Sequence, residues 1–503
     1  MKRFAVLLMM AVAFIAAAIG TTPKAQAGLF GGAKSAASPS PSPSPSAIPT
    51  ATPEPPDVAI PRLEAKLKAN PNDQQTMTEL AGQLLGINRP DLSIQLTQRL
   101  LQMGDKTSQV YYLDGYAQQA LGRIDGAIAD LEQAENLDPS NPGVLEQLTS
   151  LYLRANRFTD AERIANRAIV LNKGDAQSIT TLGSVYAAEG KYDDARAQFE
   201  KASTMDPKNS APLFQIASTY AAQNNIPQAL DWVAKVLALD PKNVQALVFK
   251  ADLYARQHDD ANASAAYDDA IVAATSDDQR GAIIVRKATY FAGEHKDAQA
   301  QAVYQQAIAQ YPKLTDLHTS FGDYWVQQKN YANAQREWLA ALAINKDDPQ
   351  ALLRLGQMSM QQGKMSDAVG YLKHLSDLEP DPRTFAMLGQ AYSFLHDYSK
   401  SKDACAKSFS MEKNPSTLGC IAGADFELKN YKEASQIFDV LDKNAKGFLE
   451  QNPQLLWVAG KTYTQTNEKQ KAVGAYKRLL PMIKKGTKEY NEIQSQIAML
   501  SKK

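Results

Sequence analysis

Apolar residues recur along most of this chain in paired stretches with the three-to-four-residue spacing of amphipathic helices, separated by short polar turns. The clearest pair runs Leu182, Gly183, Tyr186 and then Tyr192, Ala195, Phe199, Ala202. Gly190 stands between the two stretches and Asp206-Pro207 follows the second. Glycine tolerates the left-handed backbone of a tight turn, and proline cannot continue a helix. Each pair is therefore predicted to be a helical hairpin. Two helices cannot bury both apolar faces alone, so successive pairs must stack.

The pattern returns at Leu80-Ala81, Asp114-Gly115, Leu148-Thr149, Leu182-Gly183, Ile216-Ala217, Lys250-Ala251, Lys287-Ala288, Phe321-Gly322, Leu355-Gly356, Leu388-Gly389, Ile421-Ala422 and Ala459-Gly460. Successive offsets are 34 for the first five steps, then 37, 34, 34, 33, 33 and 38. The two long steps place extra residues near Thr275 to Arg280 and near Lys446 to Pro453, where irregular joints are expected. An alanine column (Ala127, Ala161, Ala195, Ala229, Ala334, Ala368, Ala434, Ala472) lets paired helices approach closely. A bulky column (Leu131, Phe199, Tyr267, Tyr304, Trp338, Leu372, Phe438, Tyr476) fills the space between pairs.

This spacing of Leu-Gly, an aromatic, Ala, a second aromatic and a closing Pro resembles the tetratricopeptide repeat. The resemblance implies an all-α fold: a right-handed superhelical solenoid of stacked antiparallel helix pairs. It places about twelve repeats over 74–483, a capping helix at 58–73 and a final helix at 484–503. The unit at Lys250 lacks the usual Leu, the one at Ile421 has Asp425 for an aromatic, and the one at Leu388 has Ser401 for Ala.

The amino terminus reads as an export signal over 1–27. Lys2 and Arg3 precede the apolar run Phe4 to Gly20, and Ala25-Gln26-Ala27 forms the cleavage site. An uncleaved anchor is the alternative. With the signal removed no membrane span is expected, and the protein is placed in the periplasm or outside the cell. Residues 28–57 form a Pro/Ser-rich linker in which Ser38 to Ser46 alternates strictly. At about 3.1 Å per residue, Ser38 to Pro56 reaches roughly 60 Å as a polyproline-type spacer. It is either a tether or a leader without a specific role.

Charge adds an exclusion. With 54 basic and 54 acidic residues and a pI near 7.0, there is no electrostatic footprint for nucleic acid. His258, His295 and His396 fall in turns within pairs, while His318 and His374 stand alone, so no metal or other cofactor is expected. No nucleophile motif or phosphate loop occurs, and the chain is expected not to be an enzyme. Cys405 and Cys420 fall on helices of adjacent units that pack together. A disulfide is geometrically open to them, and two buried free thiols are the alternative.

In the family the first helix of each unit lines a concave groove. That face maps here to Tyr112, Tyr116, Arg154, Phe214, Asp252, Arg256, Asp323, Gln357, Trp457 and Lys461. The expected partner is a segment of another protein, held by a scaffold in an envelope or secretion assembly. The alternative is an exported polysaccharide, whose hydroxyls and ring faces suit glutamines and aromatics.

Overall fold

Aspartate and asparagine set the helix starts. Asp73, Asn141, Asp175, Asn243, Asp348 and Asp381 each precede a first helix, and their carboxylate or amide oxygens accept hydrogen bonds from its unpaired backbone N–H groups. Pro142, Pro349 and Pro382 follow directly, where a missing N–H costs nothing. In this computed structural model the described residues are 54–501, and they form 27 α-helices in a repeat arrangement. The export signal, its cleavage site and the Ser/Pro run through Pro53 lie outside the described residues. Among the described residues no strand occurs. The protein is an all-α solenoid of helix pairs.

Every phased dipeptide sits in the first helix of a pair. Eight residues after its leading member comes a left-handed residue that turns the chain into the second helix. These are Asn88, Gly122, Asn156, Gly190, Asn224, His258, His295, Lys329, Gly363, His396, Lys429 and Asn467, with φ between +56° and +87°. The turn thus keeps its geometry where glycine is absent, because stacking on both sides fixes it. The longer step at Thr275 to Arg280 is not an irregular joint. Its extra residues lengthen the first helix, Asp277–Gly293, to 17 residues where the others have 12 to 14. The step at Lys446 to Pro453 instead folds as the short helix Phe448–Gln451 behind Gly447.

The chain divides into two compact units at residue 283. In the first, helix Pro56–Ala69 lays Ala59 and Leu63 on Leu80 and Leu84. Ala127, Ala161, Ala195 and Ala229 are fully buried, as are the bulky Leu131 and Phe199. Each large buried side chain contributes about 1.5–3 kcal/mol. Tyr152 donates its hydroxyl to Glu132 at 2.8 Å on the preceding helix while Arg157 covers its ring at 4.5 Å. Tyr186, Glu162 and Lys191 repeat that clasp one step on.

In the second unit Ala334, Ala368, Ala434 and Ala472 are buried in the same way, with Trp338, Leu372, Phe438 and Tyr476 beside them. Tyr463 donates to Asp439 at 3.0 Å under Lys471. A helix, Lys488–Leu500, closes on it with Ile493 buried.

Each unit also holds one polar knot where the repeat pattern departs. In the first, Asp114 stands at the leucine position and is 3% exposed. It accepts from the Thr97 hydroxyl and, at 3.1 Å, from the Gln118 amide, which also donates to Asp130. In the second, Asp425 is 1% exposed and takes Lys402 Nζ at 2.6 Å and the Asn430 amide at 3.0 Å. Ser401 donates to the Gly389 carbonyl at 2.8 Å. Cys405 occupies the bulky column and is joined to Cys420 by a disulfide, with Cα atoms 6.2 Å apart.

Candidate functional site

The residues singled out on the first-helix face belong to both units, and each unit arranges its own. In the first, Tyr112 and Tyr116 lie one turn apart on helix Ser108–Ala120 and stack at 6.4 Å. Tyr112 is half-buried: its hydroxyl crosses to Gly143 on the next pair, where a Cβ would stand 3.3 Å away. Burial raises its pKa further above the ordinary phenol value. Tyr116 stays 37% exposed. Arg154 ends helix Pro142–Arg154 and is exposed, favourably placed at the negative end of the helix dipole.

The remaining candidates of this unit serve packing as well as the face. Phe214 meets Phe249 at 5.2 Å across neighbouring first helices. Asp252 accepts the Tyr267 hydroxyl at 2.6 Å. Arg256 donates to the Ala221 carbonyl at 3.1 Å and to the Asn224 side chain at 3.2 Å. Two charges on the face are thereby engaged by the protein's own polar groups.

The second unit does the same. Asp323 takes Arg354 from the next first helix in a two-pronged ion pair at 2.9 Å. Gln357 is half-buried beside the buried Met358. Trp457 meets the Tyr476 ring edge-on at 5.7 Å, and Lys461 Nζ sits 4.9 Å from its centre. Of the ten face residues, the structure brings Tyr112 to Tyr116 and Trp457 to Lys461, while the interactions described for the others run to other partners. What is left toward solvent is Arg154, Lys461 and aromatic edges among amides and hydroxyls.

His318 lies against Glu337 at 2.9 Å, His374 against Asp347 at 2.7 Å, and His396 against the Tyr398 hydroxyl at 2.7 Å. Among the described residues no group of His, Cys, Asp and Glu is placed to hold a metal ion. No helix among them is long and apolar enough to cross a membrane.

One recess escaped sequence reasoning. Asp439, Asp442, Tyr463, Lys471 and Arg478, from helices Tyr431–Asn444, Pro453–Gln465 and Lys469–Leu479 of the second unit, line a cavity of about 290 Å³. Lys471 pairs with Asp439 at 2.7 Å and Glu468 at 2.6 Å, and Arg478 with Asp442 at 2.9 Å and Glu450 at 2.6 Å. Burial would raise the Glu468 carboxyl, but hydrogen bonds from Lys471, Ser435 and Thr466 outweigh it and hold the pKa at about 2. Burial and the Asp439 charge push the Tyr463 phenol upward. The partners are 28 to 36 residues apart for Arg478 and 32 for Lys471 and Asp439, so no local motif announces them.

Comparison with known proteins agrees with this construction. Family models described as tetratricopeptide repeat match residues 119–179, 186–248 and 319–375. A curated relative, cellulose synthase operon protein C of Pseudomonas fluorescens (strain SBW25), is 36% identical over 69 residues. That match spans 14% of this chain and 5% of the relative's length. The solved structure of Pseudomonas aeruginosa pilF covers 44% of this chain and 98% of its own at 20% identity, with a TM-score of 0.35. A tetratricopeptide-repeat protein of Thermus thermophilus covers 36% of this chain and 98% of its own at 22% identity, with a TM-score of 0.30.

Proposed function

We propose that this chain, a tetratricopeptide-repeat protein, is a non-catalytic exported scaffold that holds an extended partner segment of low charge on its first-helix face. The observation that carries this reading is how the charges on that face are used. Asp252, Arg256 and Asp323 are engaged by Tyr267, by Ala221 and Asn224, and by Arg354. Beside Arg154 and Lys461, the face therefore offers aromatic rings, amides and hydroxyls, which suit backbone groups and neutral side chains. Aromatic residues are the usual anchors of such interfaces. The three-part amino terminus and the Cys405–Cys420 disulfide support export. The test is crosslinked capture from native cell extract by the full chain beside a Tyr116→Ala, Lys461→Ala variant. A captured protein that the variant loses supports the scaffold, and equal capture by both overturns it.

A second reading takes an exported polysaccharide as the occupant. It is favoured by the similarity to cellulose synthase operon protein C and by the Trp457 ring on the face. Quenching of Trp457 fluorescence by neutral glucan oligosaccharides, absent in Trp457→Phe, separates it from the first.

A further inference from the structure

One edge of the second unit concentrates positive charge that the even balance of the whole chain conceals. Helices Tyr431–Asn444 and Lys469–Leu479 carry Lys443 and Lys477 in their last turns. Arg478 ties these ends together, pairing with Asp442 at 2.9 Å and with Glu450 at 2.6 Å. Phe448, Leu480 and Ile483 pack into the same core, which brings Lys446 and the segment Lys484 to Lys488 to this end as well. The Thr487 N–H donates to the Lys484 carbonyl at 3.3 Å and closes the turn before helix Lys488–Leu500. Lys443, Lys446, Lys477, Lys484, Lys485 and Lys488 are all exposed, and none of them forms an ion pair among the described residues. From Lys469 to Lys488 there is no acidic residue. Of the acids on the adjoining segments, Asp442 and Glu450 are held by Arg478, and Glu489 and Glu492 follow on helix Lys488–Leu500.

Helix dipoles account for Lys443 and Lys477, which stand at negative helix ends. They do not account for Lys488, which opens its helix where the positive end of the dipole opposes a cation. An anionic surface outside the chain would offset that repulsion. The chemistry of the cluster narrows what kind of surface. Every unpaired cation on this edge is a lysine, while its one arginine is engaged internally. The arginine fork suits carboxylates of fixed geometry, whereas lysine is a point charge on a flexible stem and suits a field of phosphates. Met482 stands among the lysines, 43% exposed between Pro481 and the half-buried Ile483. Such an apolar side chain gains nothing from a polyanion in water. At a bilayer it enters the interface while lysine stems extend to the headgroups.

We propose that this edge docks peripherally on a bilayer surface rich in anionic phospholipid, with Met482 at headgroup depth and the lysines over the phosphates. This docking is independent of the first-helix face and needs no membrane-spanning helix. The test uses the chain from Gly28 to Lys503, which keeps every described residue and omits the apolar run Phe4 to Gly20 that would bind lipid by itself. Co-sedimentation is measured with vesicles of phosphatidylcholine and phosphatidylglycerol, and with phosphatidylcholine alone. Binding to the mixed vesicles only, weakened by salt, is expected. At about fivefold per lysine, Lys484→Gln with Lys485→Gln lowers the affinity roughly thirtyfold. Lys364→Gln with Lys432→Gln, exposed elsewhere in the unit, leaves it unchanged. Met482→Ser lowers it about threefold to tenfold at fixed charge, as for partial burial of one apolar side chain. Helical circular dichroism verifies that each variant folds. No binding to mixed vesicles, equal loss in both lysine pairs, or full binding by the Lys484, Lys485 variant overturns the proposal. So does binding that is indifferent to Met482→Ser and is matched by soluble polyphosphate, which identifies an acidic polymer as the occupant.

Discussion

Gly183 and Phe199 interlock: a Cβ built on the glycine would fall 2.6 Å from Phe199 Cε1, inside the ring's contact radius. The relation recurs between Gly460 and Tyr476 at 2.5 Å and between Gly356 and Leu372 at 2.8 Å, so the first helix gives way wherever the second carries a plug. Gly183→Ala should destabilise the first unit by about 1–3 kcal/mol through overpacking, despite alanine's better helix propensity. Phe199→Leu should restore most of the loss when combined with it. Urea midpoints of the two single variants and the double variant check this coupling.

The Cys405–Cys420 bond closes a loop of 15 residues between a second helix and the next first helix. Its removal by Cys420→Ser should lower stability by about 3 kcal/mol. A thiol titration of the denatured, unreduced chain should find no reactive thiol, and two after reduction. Hydrogen exchange should then quicken in helices Tyr398–Met411 and Pro415–Glu427 first.

Asp425 depends on Lys402. Lys402→Ala leaves a buried carboxylate without its cation and should cost about 3–5 kcal/mol, while Lys402→Met with Asp425→Leu should be close to neutral. Thermal melts of the two variants distinguish a broken pair from a replaced one.

The Asp114–Asp130 knot gives a pH dependence. Burial, then the hydrogen bond and charge of Asp114, push the Asp130 carboxyl from 3.8 up to about 7. Because the folded value is raised, the contribution is fully present below the ordinary 3.8 and is lost as pH rises through about 7. Asp130 is only partly buried, so the loss is about 1 kcal/mol after screening. Asp130→Asn should melt like the natural chain at pH 4 and higher than it at pH 8, and an equal difference at both values would refute a raised Asp130 carboxyl.

How much of this was legible depends on whether one residue or several carry it. The turns could be placed from Gly122, Gly190 and Gly363, and the histidines at 258, 295 and 396 fell into register with them because position, not residue type, sets the backbone. The alanine and bulky columns were readable because each repeats a single property. Asp425 read only as a departure, and Asp114 passed as an ordinary member of the phased series. Their compensation lies in Thr97 and Lys402, 17 and 23 residues earlier on other helices, and pairing at that distance leaves no periodic trace. The face residues were legible by phase, but the engagement of Asp252, Arg256 and Asp323 by their neighbours was not. That engagement occupies three of the five charged face residues and leaves Arg154 and Lys461.

The most direct test of the first-helix face as a binding surface is to insert charge into it. Ser218→Arg, one turn after Phe214 on helix Ala211–Ala222, and Gln357→Glu alter half-buried positions on the face of each unit without touching the plugs. Folding is verified by helical circular dichroism, and crosslinked capture from native extract is compared with the natural chain. The expected result is one dominant captured protein that at least one of these variants loses while its helicity is unchanged. Capture of the same protein at full yield by both charged variants would contradict a face that selects for a segment of low charge.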